Sequence, residues 1–189
     1  QRETAAHATA EMAAWSLMMG NREAAAALAE KALAMATPAS AETATVARFL
    51  AQPAASPAEW AARAGRLAPN PAQATIRNTV LAYALLLAKQ YQAAAPVLEQ
   101  LYDQSQSVGE GVPVLLAWTY LETGRAAEAA ALLRFNPIPP TTGLGPFLSF
   151  YFPRFYYLRG AAAERLGKSA EARDNYALFQ KLSGPDPLP

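Results

Sequence analysis

Cysteine is absent from the 189 residues, and histidine occurs once, as His7. Without thiols there is no disulfide framework, no zinc finger, no iron–sulfur cluster and no thiol nucleophile. A single histidine cannot build a multi-histidine metal site. Charge of one sign is lacking too: 16 Lys and Arg face 15 Asp and Glu, for a formal net charge of +1. An interspersed, near-neutral balance offers no basic stripe for nucleic acid or an anionic membrane surface. The longest apolar run, Val80 to Ala88, is under half the ~20 residues of a membrane span, so no membrane insertion is expected. β-Branched residues are sparse and no alternating run extends far, which removes the strand signal. The lack of cysteine fits either a cytoplasmic or a periplasmic setting and leaves localisation open. Gln1-Arg2-Glu3 opens directly on a helical pattern. No leader is therefore expected, and the chain reads as a piece of a longer or processed, bacterial-looking protein.

What is present is alanine, roughly a quarter of the chain, with Leu, Glu and Arg behind it. These are good helix formers. Pro, Gly and Asn clusters divide the chain into predicted helices at about 2–19, 22–36, 40–51, 57–67, 71–88, 91–105, 111–123, 126–135, 148–166 and 169–182. Ser56 before Pro57 reads as an N-cap followed by a first-turn proline. Pro96 lies about one turn into its helix, where it is expected to be tolerated. The length suits one domain, residues 1–189.

The turns repeat. Gly20-Asn21-Arg22-Glu23-Ala24-Ala25 aligns with Gly124-Arg125-Ala126-Ala127-Glu128-Ala129 and with Gly167-Lys168-Ser169-Ala170-Glu171-Ala172, and Lys89-Gln90-Tyr91-Gln92-Ala93-Ala94 is a weaker copy. A further turn near Ala54 makes the spacing about 34, 35, 35 and 43 residues, the last stretched by an insertion at 136–147. The physical content is a glycine that lets the chain leave one helix, then an alanine where the next helix crosses close by. Ala25, Ala94, Ala129 and Ala172 hold that crossing, and Leu98, Leu133 and Tyr176 follow four residues later on the same face. Helix pairs that cannot bury their apolar stripes alone do so by stacking.

With Tyr156 to Gly160, Gly167, Glu171-Ala172 and Tyr176 the last unit resembles the tetratricopeptide repeat family. Trp118-Thr119-Tyr120 with Gly124, Glu128-Ala129 and Leu133 is similar. So is Ala13 with Gly20, Ala25, Ala32 and Pro38, and so is Leu81-Ala82 with Leu85, Tyr91 and Ala94. Residues 39–70 match poorly. The resemblance implies an all-α, right-handed solenoid of about five antiparallel helix pairs, at about 2–36, 40–67 (degenerate), 71–105, 111–135 and 148–182. It also implies a concave groove that receives a protein or peptide partner.

Catalytic chemistry finds no foothold in the sequence. His7 stands near the chain start without a nucleophile partner, and Asp103, Glu110 and Asp174 are scattered. Gly143-Leu144-Gly145 lacks the third glycine and the Lys-Ser/Thr of a phosphate loop. Glu164 and Glu171, each beside basic residues, read as surface ion pairs. No catalytic residue, cofactor or metal is therefore expected, and the chain is read as no enzyme.

The register projects His7, Ala10, Ala14 and Leu17, then Thr79, Tyr83 and Leu86, then Val114, Trp118 and Leu121, and finally Arg154, Tyr157, Ala161 and Glu164 onto the groove. Of these, Tyr83, Leu86, Val114, Trp118, Leu121, Arg154 and Tyr157 are the expected partner-binding set, with an aromatic line ending at Arg154. The family's carboxylate-clamping subtype is not expected, because its asparagine positions hold Ala14, Tyr83, Trp118 and Ala161. The last repeat carries a local excess of Arg and Lys, read as a solvated face, with an acidic peptide as the alternative ligand. Phe147, Phe150 and Phe155 are expected to close the last repeat's core. The alternative overall role is self-association, a possible homodimer through an N-terminal edge of Met12, Trp15, Leu17, Met18 and Met19.

Overall fold

The structure, a computed structural model, describes residues 1–18, 20–37, 41–67, 74–104, 111–134 and 151–183. The described residues form α-helices without strands: α1 (Arg2–Met18), α2 (Arg22–Met35), α3 (Ala41–Ala51), α4 (Pro57–Leu67), α5 (Ala74–Leu87), α6 (Tyr91–Gln104), α7 (Gly111–Glu122), α8 (Ala126–Leu132), α9 (Tyr151–Arg165) and α10 (Ser169–Ser183). The predicted insertion at 136–147, with Phe147, Phe150 and Met19, lies outside the described residues. Two compact units divide the chain, Gln1–Ala62 and Arg63–Asp186.

In the first unit α1, α2 and α3 pack on one another. Their junction is alanine on alanine: Ala10, Ala32 and Ala44 are each fully buried, with Leu33 against them. Side chains this small let helix backbones approach closely, so burial here comes from proximity rather than from large side chains. Leu17, predicted at the exposed edge, is instead buried at 3% exposure, as are Ala10 and Ala14 of the predicted groove. Trp60 fills the far end and meets Phe49, ring centroids 5.4 Å apart. Arginines tie helix ends together. Arg2 donates to the Ala34 carbonyl and Arg22 to the Leu50 carbonyl, each at 3.0 Å. Each meets a carbonyl near a helix C-terminus, where cations are favoured.

The second unit is built around α7, which packs on α6, α8 and α9. Val112, Val114, Leu115, Leu116, Ala117, Thr119, Tyr120 and Leu121 are all buried, so α7 is covered on nearly every side. Thr119 is tolerated at zero exposure because its hydroxyl donates to the Leu115 carbonyl at 2.9 Å. Leu85, Leu98, Leu101, Leu133 and Phe155 complete the core. Pro96 sits within α6 without interrupting it.

The helix–helix turns share one geometry. Gly20, Lys89, Gly124 and Gly167 have φ of 75°, 56°, 83° and 74°. At each, the left-handed residue donates its N–H to the carbonyl three back, and the next residue donates to the carbonyl five back. The pairs are Gly20 to Leu17 and Asn21 to Ser16, Lys89 to Leu86 and Gln90 to Leu85, Gly124 to Leu121 and Arg125 to Tyr120, Gly167 to Glu164 and Lys168 to Ala163. This is the Schellman arrangement, which answers carbonyls the helix end leaves open. The alanine five residues beyond each left-handed residue is buried, Ala25, Ala94 and Ala129 at 0% and Ala172 at 6%. The turn expected near Ala54 is different. Ser56 Oγ accepts from the Glu59 N–H at 3.2 Å, and Glu59 Oε2 accepts from the Ala55 N–H at 2.8 Å. No positive φ occurs there among the described residues. Proline after Ser56 and the absence of glycine set a capped helix start instead of a Schellman exit.

Candidate functional site

The seven residues projected onto a groove divide into two kinds. Leu86, Val114 and Leu121 are only 2–3% exposed and belong to the core. The reason is the all-round burial of α7 and the packing of α5 on α6, which turn the predicted apolar lining inward. Trp118, Arg154 and Tyr83 are half-buried, and Tyr157 is exposed.

Trp118 and Arg154 come together. The Arg154 guanidinium carbon lies 5.2 Å from the Trp118 ring centroid, and the Tyr91 ring is 6.3 Å from Trp118 on the other element, α6. Arg154 of α9 thus stacks on an aromatic of α7, a contact of ~0.5–1 kcal/mol at exposed sites. Burial pushes the Tyr91 phenol up, Glu122 adds to this, and Arg154 opposes it. The four side chains therefore share one electrostatic neighbourhood. Burial also raises the phenol of the half-buried Tyr83.

Tyr157 turns to a different group. Its ring lies 5.9 Å from Tyr176 and 5.4 Å from Phe179, both on α10. Tyr176 donates to Glu164 Oε2 at 2.8 Å. Burial first, and that carboxylate next, push the Tyr176 phenol up to about 12. Gly160 makes room for it: a Cβ at that position would meet Tyr176 Cδ1 and Cε1 at 2.7 Å. The expected continuous aromatic line is thus two groups, one at Trp118 and one at Tyr157.

A charged network stands beside the first group and escaped sequence reasoning. Arg125 Nη1 donates to Glu99 Oε1 at 2.8 Å, and its Nε and Nη2 donate to Glu128 Oε1 at 3.0 and 2.7 Å. Tyr120 donates to Glu99 at 2.9 Å, and the Arg125 guanidinium lies 3.7 Å over the Tyr120 ring. Arg125 holds the carboxyls of Glu99 and Glu128 below the usual carboxylate range. Only the Arg125–Glu128 half, three residues apart, could be read from spacing. Glu99 comes from 26 residues away and joins only when α6 and α7 pack. The network is a tie among α6, α7 and α8: its ions answer one another.

Among the described residues no group of three or more His, Cys, Asp or Glu could hold a metal ion. None of the described helices is long and apolar enough to cross a membrane. Glu171 meets Lys168 at 3.6 Å on the surface.

Helices joined by repeated Schellman turns and locked by buried alanines define a helical-repeat protein. Residues 85–134, about a quarter of the chain, match the family model described as tetratricopeptide repeat. The stretch from the end of α5 through α8 is thus similar to the tetratricopeptide repeat family. Comparison with curated proteins and with solved structures found no match.

Proposed function

We propose that the chain is a non-catalytic interaction module whose repeats, at about 2–36, 71–105, 111–135 and 148–182 with 40–67 degenerate, present a surface to an extended peptide or helix. The surface comprises Tyr83, Trp118, Arg154 and Tyr157, with Leu86, Val114 and Leu121 as the rigid apolar bed beneath it. The observation that carries this reading is Trp118 held half-buried between Tyr91 and Arg154. Trp, Tyr and Arg anchor interfaces more often than other residues, and an anchor already held in place loses little freedom on binding. Capture from source-cell lysate by the wild type and by Tyr83→Ala/Trp118→Ala tests it. A protein lost only with the double variant, which stays folded by circular dichroism, is expected. For the purified pair, Trp118→Ala should weaken binding by ~2 kcal/mol. Identical captures, or a fold lost along with the binding, would return Trp118 to the core.

A second reading has its own observation. Met12 and Trp15 on α1 are 56% and 48% exposed. Such an apolar edge suits self-association, with the homodimer formed through the N-terminal helix. Sedimentation velocity from low to high concentration separates the readings. A mass that doubles in the wild type and stays monomeric in Met12→Glu supports the edge.

A further inference from the structure

We infer that the cleft where α8, α9 and the start of α10 meet is a second docking site, for an acidic peptide segment with an apolar side chain beside its carboxylates. The cleft has a floor of Leu133, Ala162 and Ala163, all buried, and a rim of Leu166, Arg134, Arg159, Lys168 and the single carboxylate Glu171. Its volume is about 50 Å³. Cofactor and drug-sized pockets run to ~300–1,000 Å³, so this one admits a single small side-chain group.

The charges select the occupant. Elsewhere the arginines that reach carboxylates do so within the protein, as Arg125 does with Glu99 and Glu128 and Arg48 with Glu30 at 3.5 Å. Arg134 and Arg159 meet no carboxylate among the described residues. Arg159 instead lies 5.6 Å over the Phe155 ring. Lys168 alone is answered, by Glu171 at 3.6 Å. Two guanidinium groups at one apolar cleft repel each other, and a carboxylate placed between them removes that repulsion and gains charge-assisted hydrogen bonds. A nucleic acid needs a longer positive stripe. A small apolar floor rimmed by three cations and one carboxylate keeps an excess of positive charge, which fits an acidic peptide that buries one aliphatic group.

This site is independent of the surface around Trp118. Arg154 and Arg159 lie five residues apart on α9, ~140° around the helix, so the two surfaces occupy different faces.

The test uses the full chain and a fluorescein-labelled octapeptide of alternating Glu and Leu, followed by fluorescence anisotropy at low salt. Saturable binding that weakens with salt is expected. Arg134→Glu/Arg159→Glu should weaken it by about tenfold or more. Glu171→Gln removes the competing carboxylate and should tighten it about threefold, a gain that a damaged fold cannot produce. Trp118→Ala should leave it unchanged. Equal binding of the peptide with Gln for Glu, equal binding by the double variant, or no saturation below about 1 mM overturns the proposal. Loss with Trp118→Ala overturns it as well, because the peptide then seats on the other surface.

Discussion

Lys89 carries the one positive φ outside glycine among the described residues, at 56°, where the other Schellman turns use Gly20, Gly124 and Gly167. A side chain in that region costs about 1–2 kcal/mol, while glycine loses about 0.5–1 kcal/mol through its greater freedom when unfolded. Lys89 is exposed, so its removal forfeits no packing. Lys89→Gly should therefore stabilise the protein by about 0.5–1 kcal/mol, and Gly124→Ala should destabilise it by about 1 kcal/mol. Denaturant midpoints moving in the same direction for both would contradict the shared turn. Gly160 has a different reason to be glycine: it lies inside α9 with the Tyr176 ring against it. That ring is fixed by its hydrogen bond to Glu164 and its contacts with Tyr157. Alanine gains ~1 kcal/mol of helix propensity there but meets the ring, so Gly160→Ala should still destabilise by about 1–2 kcal/mol. Gly65→Ala, with no atom within 4 Å of the added Cβ, should stabilise by about 0.5–1 kcal/mol in the same melts.

At four of the helix turns a buried alanine follows the left-handed residue, and this is where sequence and structure agree best. Ala25, Ala94 and Ala129 were legible because a glycine-or-lysine turn precedes each at fixed distance, and all three have no exposed surface. Ala129→Leu should destabilise by about 1–3 kcal/mol through overpacking. An unchanged urea midpoint would mean the crossing has room and the register is wrong. Groove-facing positions were harder to read. Val114, Trp118 and Leu121 share a helical face, yet only Trp118 keeps surface, because α7 is enclosed by α6, α8 and α9. Periodicity finds an apolar stripe but does not say how many neighbours cover it. In α1 to α3 alanine is the buried residue and also a common exposed one, so no stripe stands out and only packing reveals that Ala10, Ala32 and Ala44 meet.

For the whole molecule, 16 basic and 15 acidic residues nearly cancel at neutral pH. Acid removes the carboxylate charges and leaves mutual repulsion among the bases, which weakens any compact state. The network of Glu99, Arg125 and Glu128 adds a component of its own. In the folded chain Arg125 holds both carboxyls below their ordinary range. In the unfolded chain they return to about 4.3. Between these values the unfolded state binds more protons, so the contribution is complete above about pH 4.5 and is lost as pH falls through the lower folded values. The side chains of Glu99 and Arg125 are each 38% exposed, so solvent screens the pair and it is worth ~1 kcal/mol or less. Glu99→Gln should accordingly be destabilised by that amount at pH 7, and the gap should narrow as pH falls below about 4.3. Repulsion among the bases acts on both proteins and cancels in the difference. Paired urea melts from pH 7 to pH 3 measure it, and a gap that stays constant over that range would show that Glu99 supports the fold through packing with Tyr120 rather than through its charge.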